Sequence, residues 1–269
     1  MQDTPLGKST RYPLEYDPGV LCAVSRNPAR EALGLGTQLP FMGMDIWNAW
    51  ELTWLAKTGK PIVATAVITV PAESPNIVES KSLKLYLNSF AMTRYAAKSE
   101  LEGIIARDLS DIIESKVTVD IKPETDPKMY RIVDLPGRSI DDLDINIEAS
   151  GVDASLLKTT EGETEETLHS HLLRSNCPVT NQPDMGSVMV RYKGTNIDRE
   201  SLLKYIVSYR QHNDFHEACV ERIFVDIKTR CATEKLTVYA RFNRRGGIDI
   251  NPFRSDFETS AENLRLWRQ

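Results

Sequence analysis

Two segments of this chain match one another without gaps at an offset of 119 residues. Residues 82–90 read SLKLYLNSF and residues 201–209 read SLLKYIVSY. Leu83, Tyr86, Leu87 and Phe90 fall at i, i+3, i+4 and i+7, and Leu202, Tyr205, Ile206 and Tyr209 repeat that spacing. The pattern gives a helix one apolar stripe to bury. The match runs on into a second helix, where Leu101, Ile104 and Ile105 align with Val220, Ile223 and Phe224, and Glu102 aligns with Glu221. Two helices in one register at one offset predict a module written twice.

Strand patterns surround each helix pair. Residues 47–56 and 62–70 predict a hairpin through Thr58-Gly59-Lys60-Pro61, and 117–121 and 130–135 predict strands after the first helix pair. In the second copy, 187–192 precedes the helices, and 236–242 and 247–250 come after them. Each copy reads strand, strand, helix, helix, strand, strand. The expected fold is α+β: two tandem modules, each an antiparallel sheet with two helices packed on one face. The join is expected in the acidic stretch 150–167, where EGETEET reads as a solvated linker. That places an N-terminal module at 1–149 and a C-terminal module at 150–269.

The chain has 269 residues and a net charge of -5, which argues against a broad nucleic-acid surface. No apolar run approaches a membrane span, and the N-terminus has no signal-peptide pattern. The four cysteines, Cys22, Cys177, Cys219 and Cys231, form neither a disulfide framework nor a zinc-finger pattern. A reducing cytoplasm is the expected location.

The segment from Ser175 to Ser187 reads SNCPVTNQPDMGS. Pro178, Pro183 and Gly186 favour turn and loop conformations between Cys177 and Asp184. A nucleophile and a proton-transfer group brought together there is what covalent catalysis with acid help needs. Free cysteines are more often small buried hydrophobes, so the pair alone does not decide. The two copies also differ where chemistry is expected. The first begins its helix with Glu79-Ser80-Lys81-Ser82, against Asp198-Arg199-Glu200-Ser201; the second carries Phe215-His216-Glu217, against Ala96-Ala97-Lys98. These differences suggest a composite site, with chemistry from the second half and a docking surface from the first.

Plainer roles exist for each group. Asp214 and Glu217 have capping-box spacing, Ser80 or Ser82 would serve as an N-cap, His216 as a surface imidazole, and Lys81 and Lys84 as solvated charges. The same helix start offers free N–H groups and a positive dipole end to a phosphate. Arg244-Arg245-Gly246-Gly247 offers guanidinium groups beside a permissive backbone. There is no GxGxxG or P-loop pattern. His169, His171 and Cys177 are acceptable zinc ligand types, but their spacing fits no strong zinc pattern, and no metal is expected.

Four motifs carry a resemblance that covers nearly the whole chain: ESKSLKLY from Glu79, CPVTNQPD from Cys177, FHE from Phe215 and RRGGIDINPF from Arg244. With them the chain closely resembles the two-module bacterial 7-cyano-7-deazaguanine reductases, the nitrile reductases of queuosine biosynthesis. The resemblance implies the tunnelling fold and a homodimer. It implies reduction of a nitrile to a primary amine with two NADPH per turnover as co-substrate. Cys177 would form a thioimidate with the nitrile, Asp184 would move the proton, and His216 would assist. Glu79, Ser80, Lys81, Phe215, His216 and Glu217 would bind the deazapurine, with Phe215 either walling the pocket or packing the helix entry. Lys81, Ser82, Arg245 and Gly246 would contact NADPH. The ESKS-type motif separates these enzymes from the related GTP cyclohydrolases, which use zinc. Met185 departs from the aromatic residue that many relatives have beside the acid. The implied partners are the small deazapurine and NADPH, with no direct nucleic acid and no membrane. The alternatives are a zinc-dependent cyclohydrolase of the same fold, or a non-catalytic deazapurine- or pterin-binding module indifferent to Cys177→Ala. Cys22 and Cys231 read as ordinary buried thiols, and pairing of Cys177 with Cys219 stays open.

Overall fold

A computed structural model of the chain describes residues 12–123, 126–147 and 151–269. The join expected between residues 149 and 150 lies outside them. Among the described residues the strands are β1 (Ala23–Ser25), β2 (Met42–Leu55), β3 (Pro61–Pro71), β4 (Asn76–Val78), β5 (Thr118–Pro123), β6 (Arg138–Ser139), β7 (Thr159–Asn176), β8 (Pro183–Ile197), β9 (Lys235–Phe242) and β10 (Ile248–Ser255). The helices are α1 (Asn27–Ala32), α2 (Ser80–Asn88), α3 (Lys98–Ile113), α4 (Pro127–Tyr130), α5 (Arg199–Ser208) and α6 (His216–Cys231). The chain divides into two compact units. One comprises Met1–Pro28, Asp45–Arg131 and Arg244–Ile250; the other comprises Ala29–Met44, Ile132–Asn243 and Asn251–Gln269.

In the first unit the strands run in the order β5-β3-β2. The β2–β3 turn closes as expected, with Ala56 N–H donating to Lys60 O at 2.9 Å. Alternate residues of β3, from Ala64 to Val70, bury against Leu83, Tyr86, Leu101, Ile105 and Leu109 of α2 and α3. In the second unit the order is β10-β9-β8-β7-β6. Leu168, Leu173, Val188, Val190, Val238 and Phe242 share one core with Leu202, Ile206, Val220 and Phe224 of α5 and α6. The antiparallel sheet with two helices on one face is therefore present twice, the second copy carrying in addition the short β6 parallel to β7 at its edge. The period-3.6 stripes drive it, because each helix buries its apolar side only against a sheet.

Three expectations are corrected. The acidic stretch EGETEET is not a linker but part of β7, paired with β8 from Thr159↔Ile197 onward. Backbone ladder bonds do not depend on side-chain polarity. The charges there either face water or find partners: Glu166 accepts from Tyr192 Oη at 2.6 Å and from Arg199 Nη2 at 2.7 Å. Residues 130–135 are not a strand. Pro127, with Asp126 as N-cap, starts the helical turn α4, and the chain beyond that turn makes only an isolated bridge, Ile132↔Arg265. The repeat also slips by one residue in its second helix. α3 and α6 both have sixteen residues and start 118 apart, each ending in a left-handed residue, Glu114 or Ala232. Tyr86 donates to Asp108 and Tyr205 donates to Asp226, at 2.7 Å in both. Glu102 is thus not the counterpart of Glu221.

Candidate active site

In the second unit, β7 and β8 form a hairpin in which Ser175 opposes Asp184 and Asn176 opposes Pro183. The ladder continues one step, with Cys177 N–H donating to Gln182 O at 2.9 Å. Directly opposed residues share a face, as do residues two apart. Ser175, Cys177 and Asp184 therefore lie on one face, and Cys177 and Asp184 are diagonal neighbours. Both are buried, with 8% and 2% exposure. Pro183 and Gly186, expected in the loop, belong to β8 instead. The loop reverses at Asn181, φ +56°, whose N–H donates to Cys177 O at 3.0 Å. Asparagine tolerates this left-handed conformation better than most residues.

A bulge decides what else shares that face. Ser170 opposes Val188 but Leu173 opposes Gly186, so β7 has one more residue than β8 between them. Leu168, Leu173 and Cys177 consequently face the helices, while His169, paired with Met189, faces the other side. The trio His169, His171 and Cys177 does not assemble. Met185, one residue from Asp184, is likewise on the opposite face and 41% exposed.

The start of α6 is pinned beside this hairpin. Asn176 N–H donates to His212 O at 2.8 Å, Asp214 N–H donates to Asn176 O at 3.1 Å, and Asn213 Nδ2 donates to Asn181 Oδ1 at 2.9 Å. His216, the first residue of α6, holds Nε2 3.3 Å from Asp184 Oδ2. Its ring stacks on Phe242 with centroids 3.9 Å apart and planes 10° apart. His216 Nδ1 is buried and makes no hydrogen bond among the described residues. With Nε2 turned to a carboxylate, the neutral ring carries its proton there and presents Nδ1 as an acceptor. Glu217 comes next, buried in the first helical turn, where the dipole favours a carboxylate. The capping box does not form: Phe215 is the N-cap without a side-chain bond, and Asp214 Oδ1 accepts only the Phe215 N–H, at 2.9 Å, in this cap.

Phe242 was not identifiable from its strand pattern, and Gly186 looked like a turn former. A Cβ on Gly186 would stand 3.1 Å from both Leu173 Cδ2 and Phe242 Cε1, so the glycine gives Phe242 its place beneath the imidazole. Burial holds the other three thiols in the protonated form. Burial pushes Cys219 well above the ordinary thiol range and Cys231 up to about 11; burial and then the Glu79 charge push Cys22 up. All four cysteines are free thiols.

In the first unit, Glu79 is the N-cap of α2. Its Oε1 accepts from Lys81 N–H at 2.8 Å and its Oε2 from Ser82 N–H at 2.7 Å. Ser82 Oγ donates to Glu79 O at 2.7 Å and accepts from Cys22 N–H at 3.1 Å. The expected anion site on these N–H groups is therefore closed by the protein's own carboxylate, and Ser82, fully buried, serves the cap rather than a phosphate. Neither Ser80 nor Ser82 is the N-cap. The Arg244–Gly247 segment is a two-residue turn, with Gly246 at φ +58° and Gly247 at φ +81° and Arg245 N–H donating to Ile248 O at 2.8 Å. A Cβ at Gly246 would lie 3.1 Å from the Lys84 stem, so this turn and α2 meet. A cavity of about 290 Å³ opens there, lined by Tyr12, Glu51, Lys84, Asn88, Gly246 and Gly247.

The family model for "Nitrile reductase, 7-cyano-7-deazaguanine-reductase N-term" matches residues 12–121, and that for "QueF-like protein" matches residues 183–261. The NADPH-dependent 7-cyano-7-deazaguanine reductase of Paraburkholderia xenovorans (strain LB400) is 50% identical over 271 residues, covering 100% of this chain and 99% of the relative. The enzyme of the same name from Ralstonia nicotianae (strain ATCC BAA-1114 / GMI1000) is 49% identical over 273 residues, with the same coverage. Full-length identity at that level, on a chain with both family segments, makes this protein a member of the 7-cyano-7-deazaguanine reductase family of nitrile reductases.

Proposed function

We propose that this chain reduces the nitrile of 7-cyano-7-deazaguanine to the aminomethyl group, consuming two NADPH, in the queuosine pathway. The observation that carries the chemistry is the grouping of Cys177, Asp184 and His216 in the second unit, with a buried ring nitrogen left for a ligand.

A nitrile carbon is a poor hydride acceptor. Addition of the Cys177 sulfur forms an S–C bond and turns C≡N into C=N, giving a thioimidate. Asp184 accepts the thiol proton and returns it to the nascent nitrogen, and the protonated C=N is a far better acceptor. NADPH supplies hydride to that carbon, once for each two-electron step. After the first hydride, the C–S bond breaks and Cys177 leaves as thiolate, yielding an imine; the second reduction gives the amine. His216 orients and exchanges protons with Asp184 through Nε2, and its Nδ1 accepts a hydrogen bond from the substrate. Glu217 accepts paired N–H bonds from the guanine-like edge of the base. Phe215 borders the same helix start. Glu79, Ser80 and Lys81 contribute further substrate contacts, since each Glu79 oxygen keeps a lone pair beyond its cap bond.

For NADPH, the groups that fit are Lys81, Arg245 and Gly246, with Lys84 beside them. The cavity there is at the lower end of ligand-sized pockets and suits one part of a dinucleotide; Lys84 is the cation in its lining, beside Glu51 and the backbone of Gly246 and Gly247. The enzyme works on the free base in the cytoplasm as a homodimer, without touching nucleic acid.

The test is NADPH oxidation with 7-cyano-7-deazaguanine for wild type and Cys177→Ala, with intact mass recorded without NADPH. Two NADPH oxidised per substrate, an adduct of substrate mass on wild type only, and an inactive variant are expected. An active Cys177→Ala variant would overturn the covalent route, and absence of oxidation by wild type would overturn the activity.

A further inference from the structure

The bulge in β7 leaves His169 and His171 on the sheet face opposite Cys177 and Asp184. There they meet Asp134, whose Oδ1 stands 3.1 Å from His171 Nε2. One ligand atom from each of the three residues lies within 4.8 Å of the others, and this is the one such group among the described residues. We propose that Asp134, His169 and His171 form a binding site for a divalent transition-metal ion, zinc being the ion this donor set fits best.

Two imidazoles and a carboxylate suit zinc, and donors at about 2.0–2.2 Å in a tetrahedron stand roughly 3.4 Å apart. The His171–Asp134 spacing already meets that figure. The Asp134 side chain is 67% exposed and held by one bond, its Oδ1 accepting from Leu135 N–H at 2.8 Å, and a small rotation can close the remainder. The other ring nitrogens are held as outer-shell partners hold them. His169 Nδ1 lies 3.2 Å from Pro136 O, which accepts only, so the proton sits on Nδ1 and Nε2 keeps its lone pair. His171 Nδ1 lies 2.7 Å from Ser187 Oγ, leaving Nε2 toward Asp134.

The backbone beneath is fixed. Asp141 accepts from Ser170 Oγ at 2.5 Å and from His171 N–H at 2.8 Å, and Ser139 pairs with His169. Asp134 forms no ion pair with a lysine or arginine among the described residues, so no cation already occupies the position of a metal. Arg268 donates instead to the carbonyls of His171 and Gly186, at 2.9 and 3.1 Å, and lies over Trp267. The indole ring, 6.4 Å from His171, gives one side of the site an apolar wall. A bound ion would clasp the 134–140 segment to β7. It takes no part in the Cys177 chemistry, which lies across the sheet.

Chelator-stripped full-length protein is titrated calorimetrically with zinc chloride alone, and separately with cobalt(II) under visible absorption. One zinc per chain is expected, with a rise in Tm and cobalt bands free of thiolate charge transfer. His169→Gln should weaken binding by more than the 10–100-fold typical of losing an outer-shell partner. Asp134→Asn, which keeps an oxygen for the Leu135 N–H, should also weaken it, and Cys177→Ala should leave it unchanged. No zinc binding by wild type, binding indifferent to both Asp134→Asn and His169→Gln, or binding lost in Cys177→Ala would each overturn the proposal.

Discussion

Glu221 is held between two arginines inside the second unit. Arg30 grips it through both oxygens, Nε to Oε2 at 2.9 Å and Nη2 to Oε1 at 2.8 Å, and Arg254 adds Nε and Nη2 to Oε1 at 3.1 and 2.9 Å. Side-chain exposures are 8%, 2% and 0% for Arg30, Glu221 and Arg254. Glu221→Ala therefore leaves two buried guanidinium groups without the carboxylate between them, a loss of about 3–5 kcal/mol. Glu221→Gln keeps volume and an acceptor but loses the charge, and should cost about 1.5–3 kcal/mol. Replacing all three residues by apolar ones of similar size should be neutral or stabilising by about 1–4 kcal/mol, because the desolvation of three charges disappears with them. Urea unfolding followed by circular dichroism and tryptophan fluorescence measures this as a shift in midpoint at constant slope, where the probes coincide. Glu221 lies one turn beyond Glu217 on α6, so the Gln variant should raise KM before it lowers kcat. A Glu221→Ala cost under about 1 kcal/mol would refute the assignment of a buried, mutually dependent triad.

Gly186→Ala should shift Phe242 by a few tenths of an ångström, cost about 1–3 kcal/mol by overpacking, and lower kcat through the tilted His216 ring; an unchanged urea midpoint and kcat together would count against it. Glu79→Ala removes both α2 cap bonds and should destabilise by about 0.5–2 kcal/mol, visible as a lower Tm even without substrate, whereas an unaltered Tm would mean the cap contributes nothing. Burial, then the Asp108 hydrogen bond, raises Tyr16 to about 12 from 10.0, and burial drives Tyr86, Tyr205 and Tyr209 further up. Each raised value favours the neutral phenol in the folded state, so this stability is complete below pH 10 and declines as pH rises above it. Tyrosinate absorbance should therefore report these residues ionising together with unfolding, and independent ionisation near pH 10 in an intact fold would disprove it.

The helices were legible because their stripes must be apolar to bury against a sheet. Their exact register was not. An apolar stripe repeats at three and four residues, so sliding the second helix by one still lays apolar on apolar: Leu101 meets Val220 at one offset and Cys219 at the other, and all three are buried. Only the polar contacts separate the two, since Tyr86–Asp108 and Tyr205–Asp226 require the shorter offset. β7 was hidden for the opposite reason. Its outer half is Thr and Glu on both faces, mostly exposed, so no alternation of apolar and polar marks it. Pairing with β8 makes it a strand.

The same limit governs the site. Cys177 and Asp184 are diagonal neighbours because a hairpin closes between them, and Pro178 and Pro183 made a reversal legible, while its left-handed residue, Asn181, was not marked. Which groups share their face was not, because strict alternation from His169 puts His169, His171 and Cys177 on one side. One extra residue between Ser170 and Leu173 reverses that parity, and the segment Ser170-His171-Leu172-Leu173 contains no glycine to betray a bulge. Cys177 is thereby moved to the helix side, next to Asp184 and His216, and the two histidines are left with Asp134. A zinc-bound Cys177 would require that bulge to be absent. Deleting Leu172 removes the extra residue, and strict alternation then keeps Leu168, Ser170, Leu173, Ser175 and Cys177 on one face, so the β7–β8 ladder should persist and the cysteine adduct should still form; loss of the adduct with the ladder intact would show that the bulge does more than set the parity of the nucleophile.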